Sequence, residues 1–553
     1  MINTHLKQFL MGICLFSTTF LLAQKSGLDS MIIISTGEYK PNVVDANKIN
    51  NTPVVKDSTK KLEVKKYSIY SKKLEVPFNV SPVTPAQMVG EPLTKLYNML
   101  AKAGFGNYTT PYFEFWYNNL RSKEYSYGAR LKSLSSSATI KEHGFAGYSD
   151  NEISIYGKKF LKEHTLFGNF DYSRNTMHFY GYNPDSISLS RKQTVQHFNY
   201  FAANAELLSH YSRAERFNHQ IKLNYYNLAD SYNASENNIN ATGYVQTAVL
   251  SELLKVNAGV DFYNHKTAKD TANNTLISLN PNFIATGKKY SATIGVKAML
   301  DIMNGTKFYF YPTVDLSYNI FDNIIVPYVG ANGGVMHNSL KIVTDENPFV
   351  LSQLTLKNSN TKFNLYGGLR GTLSSYIAYN ARASYSSIDN MLLYVNDTVF
   401  PAANRFNVIY DHANVLNIHG EINYQLREKL RILLGGDYFN YKMKQELKAW
   451  YKPQLKINFA ANYNISDKMI AKIDLFYVDK QFAKTFSRDS SAVYIAAKEL
   501  KGLFDINLGV EYRYTKRLGF FVNLNNLANT RYYRYSNYPS QRINGMLGLS
   551  YSF

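Results

Sequence analysis

The 553-residue sequence contains a single cysteine, Cys14, and it lies inside an apolar run from Phe9 to Leu22. Without that segment the chain has no thiol, which excludes disulfides, thiolate metal ligands and a cysteine nucleophile. Lys7 precedes the run and a small residue, Ala23, ends it. Because this is the layout of a secretory signal peptide, we expect residues 1–23 to be removed during export.

Long apolar runs and acidic residues are also scarce. No other segment approaches the roughly 20 apolar residues that a membrane-spanning helix needs. The chain has 41 acidic against 61 basic residues, a net charge of +20. A basic chain raises nucleic acid as a partner, but export argues against it and no recognition motif accompanies the charge. We expect no nucleic-acid partner, and the basic surface suits anionic lipopolysaccharide instead.

Aromatic residues are abundant, with 46 Tyr and 33 Phe against 2 Trp. Tyrosine has an apolar ring and a polar tip, which suits the membrane interface where outer-membrane barrels carry aromatic girdles. Residues 24–96 differ from the rest, being polar, rich in lysine and irregular. We predict a partly disordered periplasmic leader there. The alternative is a basic arm that docks on a partner or enters a barrel.

From about Tyr97 to the last residue, apolar and polar residues alternate with a period of two. Successive side chains of a strand point to opposite faces, so each run has one apolar and one polar face. The clearest apolar sets are Tyr290, Ala292, Ile294, Val296, Ala298 and Leu300, then Leu416, Ile418, Ile422, Tyr424 and Leu426, and then Phe504, Ile506, Leu508, Val510, Tyr512 and Tyr514.

These runs are long for soluble strands and match the roughly 9–11 residues of a tilted membrane strand. A sheet in hydrocarbon must close on itself to pair every backbone group. The sequence therefore predicts an all-β protein, a transmembrane antiparallel up-and-down β-barrel of about 20–22 strands over residues 97–553. A soluble β-propeller or β-helix would show shorter strands and a repeated motif, which is not found.

The connections alternate between short and long, as in barrels with tight periplasmic turns and longer outer loops. Short turns include Gly287-Lys288, Arg427-Glu428-Lys429 and Thr515-Lys516-Arg517. The long connections are polar and typical of exposed surface. We predict such outer loops at Ser135 to Asp150, His337 to Asn358, Asn390 to Asp411, Phe482 to Lys498 and Ala528 to Gln541.

The last run alternates up to the final residue, with Leu549, Tyr551 and Phe553 on its apolar face. A terminal Phe on an amphipathic strand resembles the signal that the outer-membrane assembly machinery recognises, which makes that machinery a predicted partner. Upstream, Leu518 to Pro539 reads LGFFVNLNNLANTRYYRYSNYP. This stretch resembles the C-terminal signature of TonB-dependent receptors of the Bacteroidetes type.

The resemblance covers about the last fifty residues and implies a barrel in the outer membrane of a Gram-negative bacterium. Such receptors also carry an energy-coupling box and a plug domain of well over a hundred residues. Only about seventy residues separate the predicted signal peptide from the first strand. We therefore expect a barrel without a recognisable plug, and the resemblance transfers no substrate, coupling step or binding residue.

Catalytic motifs are absent from the sequence: there is no G-x-S-x-G elbow, H-E-x-x-H pair or phosphate loop. We accordingly predict no enzyme, no cofactor and no metal site. The polar faces of the strands are expected to line a lumen, where charged groups set the selectivity of any pore. The candidates for lining it are Lys255, Asp261, Lys297, His419, Glu421, Glu511 and Arg513.

Two functions remain open at this point. The first is passage or uptake of a solute across the outer membrane. The second is a non-transporting barrel subunit of an outer-membrane assembly or export complex, in which the leader and the outer loops would bind protein partners. A barrel enzyme is a third reading that no catalytic constellation supports.

Overall fold

The computed structural model describes residues 96–553 except 213–215, 250–251, 400–401, 467 and 490–491. The predicted signal peptide (1–23) and, apart from Leu96, the predicted leader (24–96) lie outside the described residues. Within the described ranges, no helix is long and apolar enough to cross a bilayer.

The described chain is almost entirely extended, with two short helices inserted between strands. In chain order the elements are β1 (Met99–Gly106), β2 (Thr110–Asn118), β3 (Tyr125–Ser136), β4 (Tyr148–Phe160), β5 (His164–His178), α1 (Arg191–Thr194), β6 (Val195–Ser209), β7 (Asn218–Asp230), β8 (Ser235–Val249), β9 (Glu252–Lys266), β10 (Thr271–Thr286), β11 (Tyr290–Ile302), β12 (Thr306–Tyr318), β13 (Val326–His337), α2 (Leu340–Glu346), β14 (Asn358–Ser374), β15 (Ile377–Asn396), β16 (Phe406–Leu426), β17 (Leu430–Met443), β18 (Leu455–Ile465), β19 (Met469–Val478), β20 (Gln481–Asp489), β21 (Ala492–Leu500), β22 (Leu503–Arg513), β23 (Leu518–Asn525), β24 (Tyr533–Tyr535), β25 (Tyr538–Pro539) and β26 (Asn544–Ser552).

Twenty-two of these strands form one antiparallel sheet, the wall. Each wall strand pairs with the next one along the chain, and β1 closes the ring by pairing with β26. The remaining strands form two separate hairpins, β20–β21 and β24–β25. The predicted all-β barrel is confirmed, with a strand number at the upper end of the predicted range.

The two faces of the wall differ in chemistry, as β16 illustrates. Ile418 and Ile422 face outward and are each 49% exposed. His419 and Glu421 lie between them and face the lumen, together with the fully buried Val415. Because directly opposed residues of antiparallel strands share a face, this division continues from strand to strand. The outward face is therefore an apolar girdle that suits lipid.

An aromatic side chain seals the closing seam between β23, β26 and β1. Phe521 is buried on the lumenal face and lies edge-on to Tyr112, with ring centroids 6.1 Å apart. A Cβ at Gly548 would lie 2.2 Å from the Phe521 ring, and one at Gly104 would lie 3.0 Å from it. These glycines therefore make room for the ring, which covers backbone that would otherwise be bare.

The wall is not equally tall around its circumference. The strands beside the closing seam, β1, β2, β23 and β26, have 8 or 9 residues, whereas β14 to β17 have 17, 20, 21 and 14. Crossing the hydrocarbon takes about 9–11 residues, so β14 to β17 project beyond it. β15 and β16 stay paired up to Asn396 and Phe406.

The wall is split in its upper part between β12 and β13, which pair only through Val314–Ser317 and Tyr328–Ala331. Pro312 lies just beyond the last pair and has no N–H to donate to a neighbouring strand. A Cβ at Gly333 would lie 2.4 Å from the Tyr311 ring. The upper part of β13 instead packs on side chains of the wall, and the Val335 N–H donates to Met299 Sδ at 3.3 Å.

The long connections all lie at one rim of the wall, whereas short turns occur at both rims. Both ends of the barrel and the predicted short turns Gly287-Lys288, Arg427-Glu428-Lys429 and Thr515-Lys516-Arg517 lie at the opposite rim. The rim with the long connections corresponds to the outside in the predicted orientation. Two of the predicted loops are wrong in detail. Most of Asn390–Asp411 belongs to β15 and β16, and Phe482–Lys498 is the hairpin β20–β21.

The opposite chemistry of the two faces is testable on adjacent residues of β16. We expect Ile422→Arg to destabilise the barrel by about 2–4 kcal/mol if it lies near the membrane midplane, and by less toward the interface. Asn423 lies next to it on the lumenal face, where its Oδ1 has no hydrogen-bond partner in the described chain. Asn423→Arg at the same depth is expected to be nearly neutral. Urea unfolding in lipid vesicles measures both, and equal losses would contradict the assignment of the faces.

Candidate functional site: the lumen and its loop lid

The structure places all seven predicted lining residues on the lumenal face. Lys255 and Asp261 lie on β9, Lys297 on β11, His419 and Glu421 on β16, and Glu511 and Arg513 on β22. Their neighbours on the same strands, such as Val260, Val296 and Tyr512, are exposed on the outward face. The seven residues are spread around the ring, so they form no single site. Their role in selectivity remains a prediction.

His419 belongs to a group of charged residues on neighbouring strands. Its Nδ1 lies 3.0 Å from Asp437 Oδ1 on β17, and its Nε2 lies 3.8 Å from Glu421 Oε2. Arg382 is directly opposite His419 on β15, and its guanidinium lies over the Tyr366 ring, 4.4 Å from the ring centre. Basic and acidic side chains therefore lie side by side on the three neighbouring strands β15, β16 and β17.

A second charged group lies beside the closing seam, where Glu511 contacts Lys102 at 3.6 Å and Arg513 at 3.8 Å. The two candidates on β9 have different surroundings. The Lys255 ammonium lies 4.1 Å from the centre of the Tyr244 ring, and Asp261 accepts a hydrogen bond from Asn238 at 2.9 Å. Most lumenal charges therefore have a partner in the wall itself.

The outer rim carries a feature that the sequence did not predict, a folded lid. We define the lid as the connections 179–194, 338–357, 397–405, 444–454, 479–502 and 526–543. Together with the upper wall these loops share one apolar core. Its fully or almost fully buried members include Leu340, Val343, Val350, Leu393, Tyr394, Phe406, Trp450, Ala483, Tyr535 and Tyr538.

Tyr538 shows that the lid reaches across the barrel. Its ring stacks on Phe349 with centroids 3.7 Å apart, and it meets Tyr180 edge-on at 4.9 Å. Its hydroxyl donates to the carbonyl oxygen of Asn404. These three residues leave the wall after β13, β5 and β15, and β5 lies ten strands from β15 in a ring of 22. Loops from opposite sides of the wall therefore meet over the lumen.

The lid is fastened to the wall by a buried carboxylate. Glu236, at the start of β8, is 0% exposed and accepts hydrogen bonds from the backbone N–H groups of Leu340 and Lys341 at 2.6 and 3.2 Å. The Tyr226 hydroxyl donates to the same carboxylate at 2.8 Å. These donors compensate the cost of burying the charge. They hold the first turn of α2 against the inner wall.

A half-buried ion pair joins two loops of the lid. The Lys452 ammonium lies 2.6 Å from Glu346 Oε1, and the Tyr394 hydroxyl donates to Glu346 Oε2 at 3.1 Å. Burial raises the pKa of the Glu346 carboxyl, but Lys452 and Tyr394 together lower that pKa by more, so it lies below its ordinary value. The pair is thus intact at neutral pH and is lost only as the pH falls through the lowered pKa.

Sequence reasoning missed the lid because it treated the long loops as polar. A signal is present between β13 and β14, where Leu340, Val343, Val350, Leu354 and Leu356 are apolar in a connection predicted to be exposed. All five are buried. The connections 179–194 and 444–454 were not among the predicted long loops.

The predicted assembly signal lies on the closing strand. Leu549 and Tyr551 face outward on β26, opposite Ala103 and Ala101 of β1. The N–H of Phe553 donates to the Met99 carbonyl oxygen at 3.0 Å, and its side chain is 53% exposed. Recognition by an assembly machinery remains a prediction.

No family model matches the sequence, and no curated protein is significantly similar to it. Solved structures do share the fold. The FrpB iron transporter from Neisseria meningitidis is 9% identical with a TM-score of 0.65, covering 83% of this chain and 82% of that one. The ferripyoverdine receptor of the outer membrane of Pseudomonas aeruginosa, bound to ferripyoverdine, is 13% identical with a TM-score of 0.61, covering 83% and 72%. The ferric-catecholate import receptor Fiu from E. coli K12 is 10% identical with a TM-score of 0.58, covering 83% and 82%. At these identities, what the chain shares with these outer-membrane receptors is the large closed barrel.

Proposed function

We propose that the protein is an outer-membrane barrel that takes up a solute through its lumen when the lid opens. The observation that carries this proposal is the lid core, in which loops from opposite sides of the wall meet over a polar lumen. A barrel of this size encloses more space than wall side chains can fill. A lid over such a lumen is a means to control entry.

The comparisons support uptake as the direction of transport. The structures with the same fold belong to an iron transporter, a ferripyoverdine receptor and a ferric-catecholate import receptor. We further propose that no inserted plug of the receptor kind fills this barrel. The supporting observation is that the described residues build only the wall, its connections and two hairpins.

The remaining parts of the chain fit this proposal. Residues 1–23 would direct export, and Leu549, Tyr551 and Phe553 would present the closing strand to the assembly machinery. Lys255, Asp261, Lys297, His419, Glu421, Glu511 and Arg513 would set the electrostatic field along the route of the solute.

A second candidate is a non-transporting barrel subunit of an assembly or export complex. The observation that favours it is also the lid, because a permanently closed outer mouth would present a rigid protein surface to partners in the membrane. The two candidates differ in one measurable property, namely whether the lumen conducts once the lid is disrupted.

Planar-bilayer conductance tests the proposal. The intact barrel is expected to be mostly closed. A variant in which residues 340–356 are replaced by a short Gly-Ser turn is expected to form long-lived open channels, because it loses α2 and much of the lid core. The matched control is the same replacement of residues 139–146, a connection that contributes nothing to the lid core. If the lid variant also stays closed while stoichiometric partners co-purify in mild detergent, the subunit reading replaces uptake.

The fastening of the lid by Glu236 gives a sharper prediction. In Glu236→Ala the N–H groups of Leu340 and Lys341 lose their acceptor, at a cost of about 1–3 kcal/mol. We expect the open fraction in single-channel recordings to rise roughly 5- to 150-fold. Glu206→Ala is the control, because this lumenal glutamate contacts Gln220 and Lys222 of the wall and not the lid. Equal effects of the two variants would mean that Glu236 does not hold the lid.

A further inference from the structure

An open groove of about 480 Å³ runs across the tall strands β14 to β17. The lining residues that matter here are Lys362, Asp389, His412, Asn414, Lys442 and Lys444. Lys444 is the first residue of a lid connection, and Met443, which also lines the groove, packs against the lid core, so the groove borders the lid without being part of its core.

The register of the strands places Asn414 and Lys442 of the groove on the outward face. Asn414 is directly opposite Lys442 of β17 and Ser387 of β15, so these three residues share a face. Asn414 and Ile418 are four residues apart on the same strand and therefore lie on the same face, and Ile418 is exposed to the outside. The intervening Ala413 and Val415 are 0% exposed and point inward.

Two irregularities of the sheet create the groove. The register of β14 against β15 shifts between Thr361 and Phe363, which displaces Lys362 from the regular alternation. The register of β15 against β16 shifts between Ile388 and Met391, and Asn390 there has a φ of 54°. Such bulges re-aim side chains, and here they bring Lys362 and Asp389 together at 2.9 Å.

The charge of the groove is positive. Asp389 is its only acidic lining residue, and its carboxylate contacts both the Lys362 ammonium and His412 Nδ1, the latter at 2.7 Å. Among the residues that the structure describes, no carboxylate lies close enough to Lys442 or Lys444 to form an ion pair. Lys442 is also exposed. These two ammonium groups are therefore available to an anionic ligand.

Directly below the groove, the outward face becomes aromatic and then aliphatic. Phe363, which directly follows the bulge in β14, packs against Tyr385 with ring centroids 5.7 Å apart. Leu365 lies directly opposite Tyr385, and Ile418 and Leu434 lie further down; these three residues are 44%, 49% and 42% exposed. Aromatic rings of this kind mark the interface of a membrane barrel, so the groove lies at the level of lipid head groups.

We propose that this groove binds the phosphorylated head group of an outer-leaflet glycolipid of the lipopolysaccharide type. Lys442, Lys444 and Lys362 would contact the phosphate oxygens, Asn414 would donate to the sugar or phosphate, and the acyl chains would lie on the aliphatic strip below. Ammonium groups bind phosphate as compact point charges, and the strip buries hydrocarbon. The proposal requires only that the looped rim faces outward, and it is independent of solute passage.

The combination of groove and strip distinguishes this ligand from other anions. A free phosphate ion would use the lysines but gain nothing from the aliphatic residues underneath. An acidic segment of a protein would also make no contact with the aliphatic strip, because the strip lies at the depth of the membrane. An amphiphile with an anionic head is the chemical class that matches both parts.

Native mass spectrometry of the purified, full-length barrel in mild detergent tests the proposal. The probes are a bis-phosphorylated lipid A, the same lipid after removal of its phosphates, and inorganic phosphate. We expect the phosphorylated lipid to stay bound. Lys442→Glu combined with Lys444→Glu should weaken its binding by about tenfold or more. Lys442→Gln with Lys444→Gln, which introduces no repulsion, should weaken it less.

The matched control is Lys288→Glu combined with Lys289→Glu, which makes the same charge change at the opposite rim. This control should bind the phosphorylated lipid as tightly as the wild type does. Each variant is verified to be folded by the resistance of its barrel to unfolding in detergent when the sample is not heated. The proposal is overturned if the groove variant binds the phosphorylated lipid as well as the control does. It is equally overturned if the dephosphorylated lipid binds as tightly, or if inorganic phosphate competes on equal terms.

Discussion

Every backbone N–H and C=O inside a membrane must find a partner within the protein, and the rest of this structure depends on that constraint. Hydrocarbon offers no water to an unpaired peptide group, so the sheet must close, and the pairing of β1 with β26 completes the ring. Closure then divides the side chains into an outward and an inward set. The outward set is apolar because it meets lipid. The inward set carries the charges, and those around His419 and Glu511 largely pair with one another.

Above the membrane the same constraint no longer applies, and the chain solves a different problem there. An uncovered lumen would be a permanent hole, and the lid loops fill its mouth with an apolar core of the kind found in soluble proteins. That core is joined to the wall by a few polar contacts, such as those of Glu236. A buried carboxylate is tolerated only while its donors stay in place, because an unpaired buried charge is costly. The position of α2 against the wall therefore depends on the contacts of Glu236.

The sequence predicts the wall far better than the lid, and the reason is physical. Lipid imposes strict alternation on every membrane strand, so the faces of β16 and β22 can be assigned from the pattern alone. Beyond the membrane both faces can be polar, and the alternation fades. The upper parts of β15 and β16 were accordingly predicted as a loop, as was the hairpin β20–β21. The contacts of Tyr538 join segments more than a hundred residues apart, and no local pattern records them.

The tall strands β14 to β17 connect the two parts of the molecule that carry its proposed activities. Their upper ends support the lid core through Leu393 and Phe406, and a smaller core with Val415 and Phe439 lies beneath it. Their outer face forms the basic groove, with Asn414 adjacent to Val415 along β16. Only the thickness of one sheet would separate a head group bound in the groove from the lid core. Because bulges in β14 and β15 shape the groove, a ligand that fixes them would also fix the strand ends from which two lid loops arise. Lipid binding and lid opening are therefore expected to be coupled, in the direction that a bound lipid stabilises the closed lid.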